Sequence, residues 1–439
     1  MATIHPFRGI RYAASHIEDL SLVIAQPYDR IGRAEQDAYY RQHPDNFVRI
    51  DYGITEPDTP QNNVYTRARD YAAAWLAAGV LQRESRPALY VLEQIFAMPD
   101  GQSHTRRAFT AALQLTEFVE GVILPHEHTF SGPKADRLNL TRATRAAWGH
   151  IFILYPDPQN RINALLQPFI EHTAPIEARE LVIEPAVQQR FRVLDDPQLQ
   201  EAIVQEMAPK RSLVIADGHH RYETALNYRA EMRAQNPSAP ADSAFNYALA
   251  TFVSMSDPGL VVLPTHRLVR DTSGRSGADV LAALAPYFDV QILPSRAELE
   301  RALRQAAPEH PTFGFYDGRQ YARLALHSLD IMGELAREHS PAWRALDVAV
   351  LHRLVIERIL GMGHGDGHDG DDIRYLRDLD AACAAVSQGA ASYLFVLNPT
   401  RMEQVNACTR AGEKMPQKST DFYPKMVGGL VAMSLAGSI

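Results

Sequence analysis

At 439 residues, with 46% hydrophobic and 22% charged residues, the chain has the composition of an ordinary globular protein and exceeds the length at which one hydrophobic core usually keeps growing. A net charge of -8 with no block of Lys and Arg argues against long nucleic acid as the main partner, because gripping a phosphate backbone takes a basic stripe. Cys383 and Cys408 form no metal or redox spacing and suit a reducing cytoplasm. The N-terminus lacks the basic flank and apolar run of a secretory signal, and no apolar run reaches membrane-spanning length. The expectation is a cytoplasmic, multi-lobed protein of mixed α/β (α+β) class with no nucleic-acid and no membrane partner.

In chain order, Val48-Arg49-Ile50-Asp51-Tyr52 alternates and predicts a strand, as does 88–92, with an apolar-periodic helix over 64–78 ending at Gly79. A turn at Pro99-Asp100-Gly101 leads into a strand over 108–115 that pairs with 88–92, and 151–155 is a further buried strand closed by Pro156. Residues 190–194 read as a strand and 196–207 as a helix. The run Leu213-Val214-Ile215-Ala216 reads as a short buried strand, and Asp217-Gly218-His219-His220-Arg221 as a tight turn opening a helix that ends near Asn236-Pro237. Strands over 247–255 and 260–263 follow, joined through Asp257-Pro258-Gly259. Residues 273–326 resemble a small inserted module with helices from Ala278 and Arg296 and strands near Val290 and over 312–316. A helix over 345–360 carries Val348, Leu351, Val355 and Ile359 on one stripe, and the Gly- and Asp-rich run after it reads as a loop. The apolar tail 426–439 is expected to dock on the core.

The turn after Ala216 is the densest chemical signal. A helix start offers backbone N–H groups and a partial positive charge, and Gly218 lets a phosphate approach the backbone closely. His219, His220 and Arg221 add donors, and Asp217 can hold a divalent cation that bridges phosphate oxygens. The competing reading makes Asp217 a helix cap and the histidines surface residues. A second cluster, Pro125-His126-Glu127-His128, has a histidine pair at metal-binding spacing without an evident third ligand. Here Glu127, with Lys134 and Arg137, suits a general base beside a transferred phosphoryl group, unless these are a solvated charge run. A third, Gly412-Glu413-Lys414-Met415-Pro416-Gln417-Lys418-Ser419-Thr420, is no P-loop: Gln417 stands where a Gly must precede the Lys, and Pro416 removes a donor. Lys418, Ser419 and Lys425 remain candidates for charge in a shared pocket. Pro27-Tyr28-Asp29 and Pro264-Thr265-His266-Arg267 are smaller polar elements.

Together, Pro6-Phe7-Arg8-Gly9, Pro27-Tyr28-Asp29, Leu124-Pro125-His126-Glu127 with Ser131-Gly132-Pro133-Lys134, Asp217-Gly218-His219-His220-Arg221, Leu263-Pro264-Thr265-His266-Arg267, Asn398-Pro399-Thr400 and Met415-Pro416-Gln417-Lys418-Ser419-Thr420 resemble the prokaryotic family catalogued as domain of unknown function 1015. Asp421, where such sequences commonly carry an aromatic residue, and the glycine-rich loop after Leu360 are departures. Locally, the Asp217 box is similar to that of ParB-like free-serine kinases, in the ParB and sulfiredoxin fold group. The resemblance implies a ParB/sulfiredoxin-like core lobe whose strand-turn-helix holds nucleotide phosphates, with Asp217 on the metal and Gly218, His219, His220 and Arg221 around the phosphates. It also implies a glutamate base, for which Glu127 is a candidate by chemistry alone.

The combined expectation is a Mg-dependent phosphotransferase using ATP or ADP on a small hydroxylated metabolite, with free L-serine giving O-phosphoserine as the specific case. Glu127, Asp217 and His220 form the catalytic set; Gly218, His219, Arg221, Lys134, Arg137 and Lys418 bind phosphates, and Asp217 holds the metal. A phosphomonoesterase and a nucleotide-operated switch protein are the alternatives. The expected lobes are 1–180, a phosphate-binding lobe 181–270, a small α/β insertion 271–340, and a helical and docking segment 341–439. A homo-oligomer is compatible with these features.

Overall fold

Strands buried on both faces read as near-continuous apolar runs: Ile151–Tyr155 is wholly apolar, Leu213–Asp217 is apolar up to its final aspartate, and Tyr247–Ser254 is interrupted only by Thr251 and Ser254. They lie within a nine-stranded sheet in a computed structural model that describes residues 1–98, 101–129, 131–307, 309–362 and 372–439. The chain forms two units: Met1–Pro125 with Thr129–Val261 and Pro424–Ile439, and His126–His128 with Val262–Tyr423.

In the first unit the sheet order is Ile123–Leu124, Leu213–Asp217, Ile151–Tyr155, Tyr247–Ser254, Ser103–Gln114, Leu89–Ala97, Gln188–Leu194, Ile176–Arg179, with Ile4–His5 paired beside Ser103–Gln114. Ile123–Leu124 runs parallel to Leu213–Asp217, and Ile151–Tyr155 parallel to Tyr247–Ser254; the other neighbours are antiparallel. Side chains alternate across a strand, so Leu89 and Val91, Phe109 and Ala111, Ile151 and Ile153, and Leu213 and Ile215 share one face. They pack there with Ile162 and Leu166, Ile203 and Met207, and Tyr222 from helices Arg161–His172, Pro197–Met207 and His219–Gln235. Asp196 caps the second of these helices, accepting from the Gln198 and Leu199 N–H groups ahead of a proline at the helix start.

The opposite face carries buried polar residues, Gln94, Arg106, Thr110 and Thr251. Part of its cover is the C-terminal tail, docked as its apolar sequence predicts. Ala432 bridges to Ile10, Gly428 to Ala25, and Met433-Ser434 pairs with Ala146-Ala147. Arg106, fully buried, donates to the Pro424 carbonyl, and the Gln94 amide donates to the Lys425 carbonyl at 3.0 Å.

Most expected elements appear within a residue or two of their expected bounds, and the class is mixed α/β. One strand does not form. Residues Val48–Asp51 are a single helical turn, opened by the Asn46 carboxamide, which accepts from the Val48 N–H at 3.0 Å. Its Val48, Ile50 and Asp51 are all buried, so the alternation of the sequence is not an alternation of exposure. Pro99 and Asp100 of the expected hairpin turn, and most of the glycine-rich loop after Leu360, lie outside the described residues, while the strands flanking the turn pair as expected.

The second unit holds a six-stranded antiparallel sheet in the order Phe288–Leu293, Tyr321–Leu326, Thr312–Tyr316, Tyr393–Val396, His266–Val269, Ile373–Leu376. The strands of the 273–326 segment therefore share one sheet with strands on either side of it in sequence. Leu299, Leu303, Ala382 and Val386 from helices Arg296–Arg304 and Leu379–Ser387 pack against Leu268, Leu394 and Val396. The helix expected over 345–360 begins as Asp347–Val350 and continues as a π-helix, Leu351–Ile359. Among the described residues no helix is long and apolar enough to cross a membrane, and Cys383 and Cys408 are free thiols.

Candidate functional site

The strand Leu213–Asp217 ends at Gly218, whose φ of +91° is the left-handed conformation that glycine adopts without penalty. Gly218 is the N-cap of the 17-residue helix His219–Gln235 and has no side chain to offer the helix's first turn. A Cβ at Gly218 would lie 3.3 Å from the Arg221 guanidinium and from the Ile151 Cα. The Arg221 side chain is folded back across the turn. It donates to Asp217 Oδ2 at 2.9 Å and to the His150 carbonyl, and it also lies against Gly149. The other Asp217 oxygen faces Lys425 Nζ at 3.7 Å. Burial pulls the Arg221 pKa down, but the charges of Asp217, Asp29, Tyr28 and Asp51 outweigh it and hold the pKa above its ordinary value.

His219 is buried. His220 is half-buried, and burial lowers its pKa, opposed by Glu223 and Asp29. One turn on, Glu223 accepts from Lys134 at 2.8 Å and from the Thr129 hydroxyl at 2.9 Å, which ties the helix Ser131–Thr144 to the box. Arg137 on that helix is 7% exposed and already engaged: it donates to Asp51 Oδ1 at 2.9 Å and to Asp136 at 2.6 Å, and stacks 4.0 Å over the Tyr28 ring. It positions Asp51 and Tyr28 rather than presenting free donors. Burial raises the Asp51 pKa, with Arg137 and Arg221 opposing, and pushes the Tyr28 phenol up to about 12. Two residues before Tyr28, the Gln26 amide donates to Glu180 at 3.3 Å. That carboxylate also accepts three backbone N–H groups and the Tyr39 hydroxyl.

The first unit thus brings together Asp217, Gly218, His219, His220, Arg221, Lys134 and Arg137, with Tyr28, Asp29 and Lys425. Glu127 and Lys418 belong to the second unit. There His126 is fully buried with Nε2 2.7 Å from the Thr420 hydroxyl and 3.8 Å from Glu127, and Lys418, at φ +55°, is exposed with its carbonyl accepting from Arg267 at 3.1 Å. Residues absent from the sequence reading are Asp51, concealed in a stretch read as a strand, and Trp148 and His150, aromatic donors flanking Gly149 immediately before an apolar strand.

A divalent cation fits this turn poorly. Both oxygens of Asp217 face cations, and among the described residues no three His, Cys, Asp or Glu side chains gather as metal ligands. Mg2+ would have to displace Arg221 or Lys425, whereas a phosphate would meet the donors already present.

The family model described as protein of unknown function (DUF1015) matches residues 4–349. No curated protein matches the chain. Among solved structures, the chain is similar to a conserved hypothetical protein from Pyrococcus furiosus at 13% identity, over 72% of this chain and 92% of that one, with a TM-score of 0.33. It is also similar to a free serine kinase in complex with AMP (12% identity, 69% and 83%, TM-score 0.32). A third similar structure is SbnI with C-terminal truncation from Staphylococcus aureus (11%, 72% and 84%, TM-score 0.32).

Proposed function

The chain belongs to the DUF1015 family of proteins of unknown function, and from its own residues we propose that it is a phosphotransferase that moves a phosphoryl group from ATP or ADP to a small hydroxylated metabolite, free L-serine being the specific case. The observation that carries this reading is the cluster at the Gly218 turn: a 17-residue helix opens there, and Asp217 stands between Arg221 and Lys425. In this reading the donor's phosphates settle on the first-turn N–H groups of the helix, where the aligned peptide dipoles favour negative charge. Arg221 and Lys425 then offset charge on the transferring group, and His220 and Lys134 flank it.

Transfer needs a carboxylate to take the hydroxyl proton as the acceptor oxygen forms its bond to phosphorus. The bond from phosphorus to the bridging oxygen breaks, and its electron pair leaves with the shortened nucleotide. Asp51 is favoured for this role, because it lines the same cavity as Arg221 and burial raises its pKa above the ordinary carboxylate value. Glu127 is the second candidate, by its chemistry. No step in this reading runs through a metal held by the protein.

The test combines titration calorimetry with ATP, ADP and inorganic phosphate and 31P NMR of reactions containing L-serine and other hydroxyl compounds. Nucleotide uptake and a new phosphomonoester resonance, both lost in Asp217→Asn, are expected. Phosphate release from O-phosphoserine without nucleotide would replace the reading with a hydrolase, and nucleotide uptake without product would replace it with a binding protein.

A further inference from the structure

A second cleft in the first unit, open to solvent and about 620 Å³ in volume, lies at the end of the sheet away from Gly218. The strand Ile151–Tyr155 meets Asp217 through Phe152 near its start and Ser254 through Tyr155 at its end, and the cleft gathers around Asp257, just beyond Ser254. One wall is the strand Ser103–Gln114, with Thr105 and Arg107. The other is the helix Arg161–His172, with Asn163 and Gln167 one turn apart on the same face. The floor is fixed by one carboxylate. Asp257 accepts from the Gly259 N–H at 2.9 Å, from Asn163 Nδ2 at 2.9 Å and from the Arg107 N–H at 3.4 Å, so it joins loop, helix and strand. A Cβ at Gly259 would overlap the Thr105 carbonyl, so only glycine lets the loop lie this close to the strand.

We propose that this cleft is a second small-molecule site, for the carboxylate of an amino acid or short peptide, separate from the phosphate turn and independent of the phosphotransferase reading. The cation is Arg107. Its Nε reaches Glu93 at 3.4 Å, while Arg192 takes the other oxygen of that carboxylate at 3.0 Å. The terminal nitrogens of Arg107 donate to none of the described residues, and its side chain is 30% exposed. A guanidinium fork with a free edge matches a carboxylate. Across the cleft, Asp257 fixes how the Asn163 carboxamide points: its NH2 faces that carboxylate, which leaves its oxygen for a donor. Gln167 repeats the arrangement one turn on, its NH2 donating to Glu171. Two carboxamide oxygens on one wall and a cation on the other suit a ligand with a carboxylate and N–H groups set back from it, the pattern of an amino acid or a peptide C-terminus. The volume falls in the range of sites for drug-sized ligands, so a di- or tripeptide fits as readily as a free amino acid.

The experiment is calorimetry on the full chain with triglycine and L-glutamine, and with triglycine amide as the control that lacks the carboxylate. Uptake is expected, tighter for triglycine if peptides are the ligands and for L-glutamine if free amino acids are. Triglycine amide should bind about ten-fold more weakly than triglycine, the worth of a charge-assisted hydrogen bond. Arg107→Gln should weaken triglycine by a similar factor, and because Glu93 keeps Arg192 the fold is expected to persist. Gln167→Ala should weaken it by a few-fold, and Asp217→Asn should leave it unchanged, which separates this cleft from the phosphate turn. Circular dichroism and melting curves identify a variant that fails to fold; if that is Arg107→Gln, Gln167→Ala and the amide control decide. No uptake of triglycine or L-glutamine at millimolar concentration, equal affinity for triglycine and its amide, unchanged affinity in folded Arg107→Gln, or lost affinity in folded Asp217→Asn would each overturn the proposal and leave the phosphotransferase reading untouched.

Discussion

Lys425 Nζ lies 3.7 Å from one carboxylate oxygen of Asp217 while Arg221 holds the other at 2.9 Å, so one acid at the end of its strand aligns two cations from distant parts of the chain. The backbone that delivers Lys425 is fixed independently, by Arg106 at the Pro424 carbonyl and by Gln94 at the Lys425 carbonyl. Lys425→Met should therefore leave the fold intact and weaken nucleotide binding by about ten-fold or more, the worth of a charge-assisted hydrogen bond of roughly 1.5–3 kcal/mol. Lys425→Arg should recover part of the affinity. Calorimetry with ATP at two salt concentrations checks this, and equal affinity in all three proteins would remove Lys425 from the site.

Two glycines beside Arg221 should behave differently when replaced. At Gly218 the positive φ penalises any side chain, and a Cβ would press on the Ile151 backbone at 3.3 Å. Gly218→Ala should cost about 1–2 kcal/mol of stability. At Gly149→Ala the new Cβ meets the Arg221 side chain first, at 3.1 Å, and that flexible side chain can shift by a few tenths of an ångström. Here the expected outcome is near-native melting with weakened phosphate binding, because Arg221 moves. Urea melts and phosphate titrations on the two variants separate the effects.

The elements that sequence made legible are those whose cause is local. The run Leu213-Val214-Ile215-Ala216, the glycine, and the helix after it each carry their signal within a few residues, and the strand, turn and helix form as expected. The Val48–Asp51 turn fails the same treatment because its reason is not local. Asp51 is drawn into the interior by Arg137, and Val48 and Ile50 are both buried, so a two-residue period in sequence was the wrong guide to exposure. Trp148 and His150 were equally silent, since a lone aromatic or histidine says nothing until the sheet places Thr251 beside the ring. Arg137 was legible as a charge near the box but not as one already engaged by Asp51 and Asp136.

Asp51 and Glu127 make opposite predictions as bases. If Asp51 takes the proton, Asp51→Asn should lower kcat by at least about 100-fold, in the range of general-base catalysis, while Glu127→Gln changes it by less than about three-fold. Loss of the Arg137 pair also costs stability, so the rate must be compared at a temperature where both variants are folded by circular dichroism. The reverse pattern would assign the base to Glu127.

In the second unit, burial pushes Asp347 from its ordinary 3.8 up to about 7, with its Oδ1 accepting from the Thr312 N–H at 3.2 Å and Arg401 opposing the shift. The folded chain therefore binds a proton at this carboxyl over a range where the unfolded chain has released it. The stabilising contribution is complete below the unfolded value and is lost as pH rises through the folded one, so wild-type stability should fall between about pH 4 and pH 7 from this group. The loss should be on the order of 2–3 kcal/mol, less than for a fully dry carboxyl, because Asp347 also lines a solvent-connected cavity. Asp347→Asn keeps an oxygen for the Thr312 N–H and cannot ionise. Its urea-derived stability should therefore be flatter than wild type from pH 5 to pH 8 and should exceed wild type at the upper end. Parallel wild-type and variant curves across that range would show that the carboxyl is ionised in the folded protein at neutral pH.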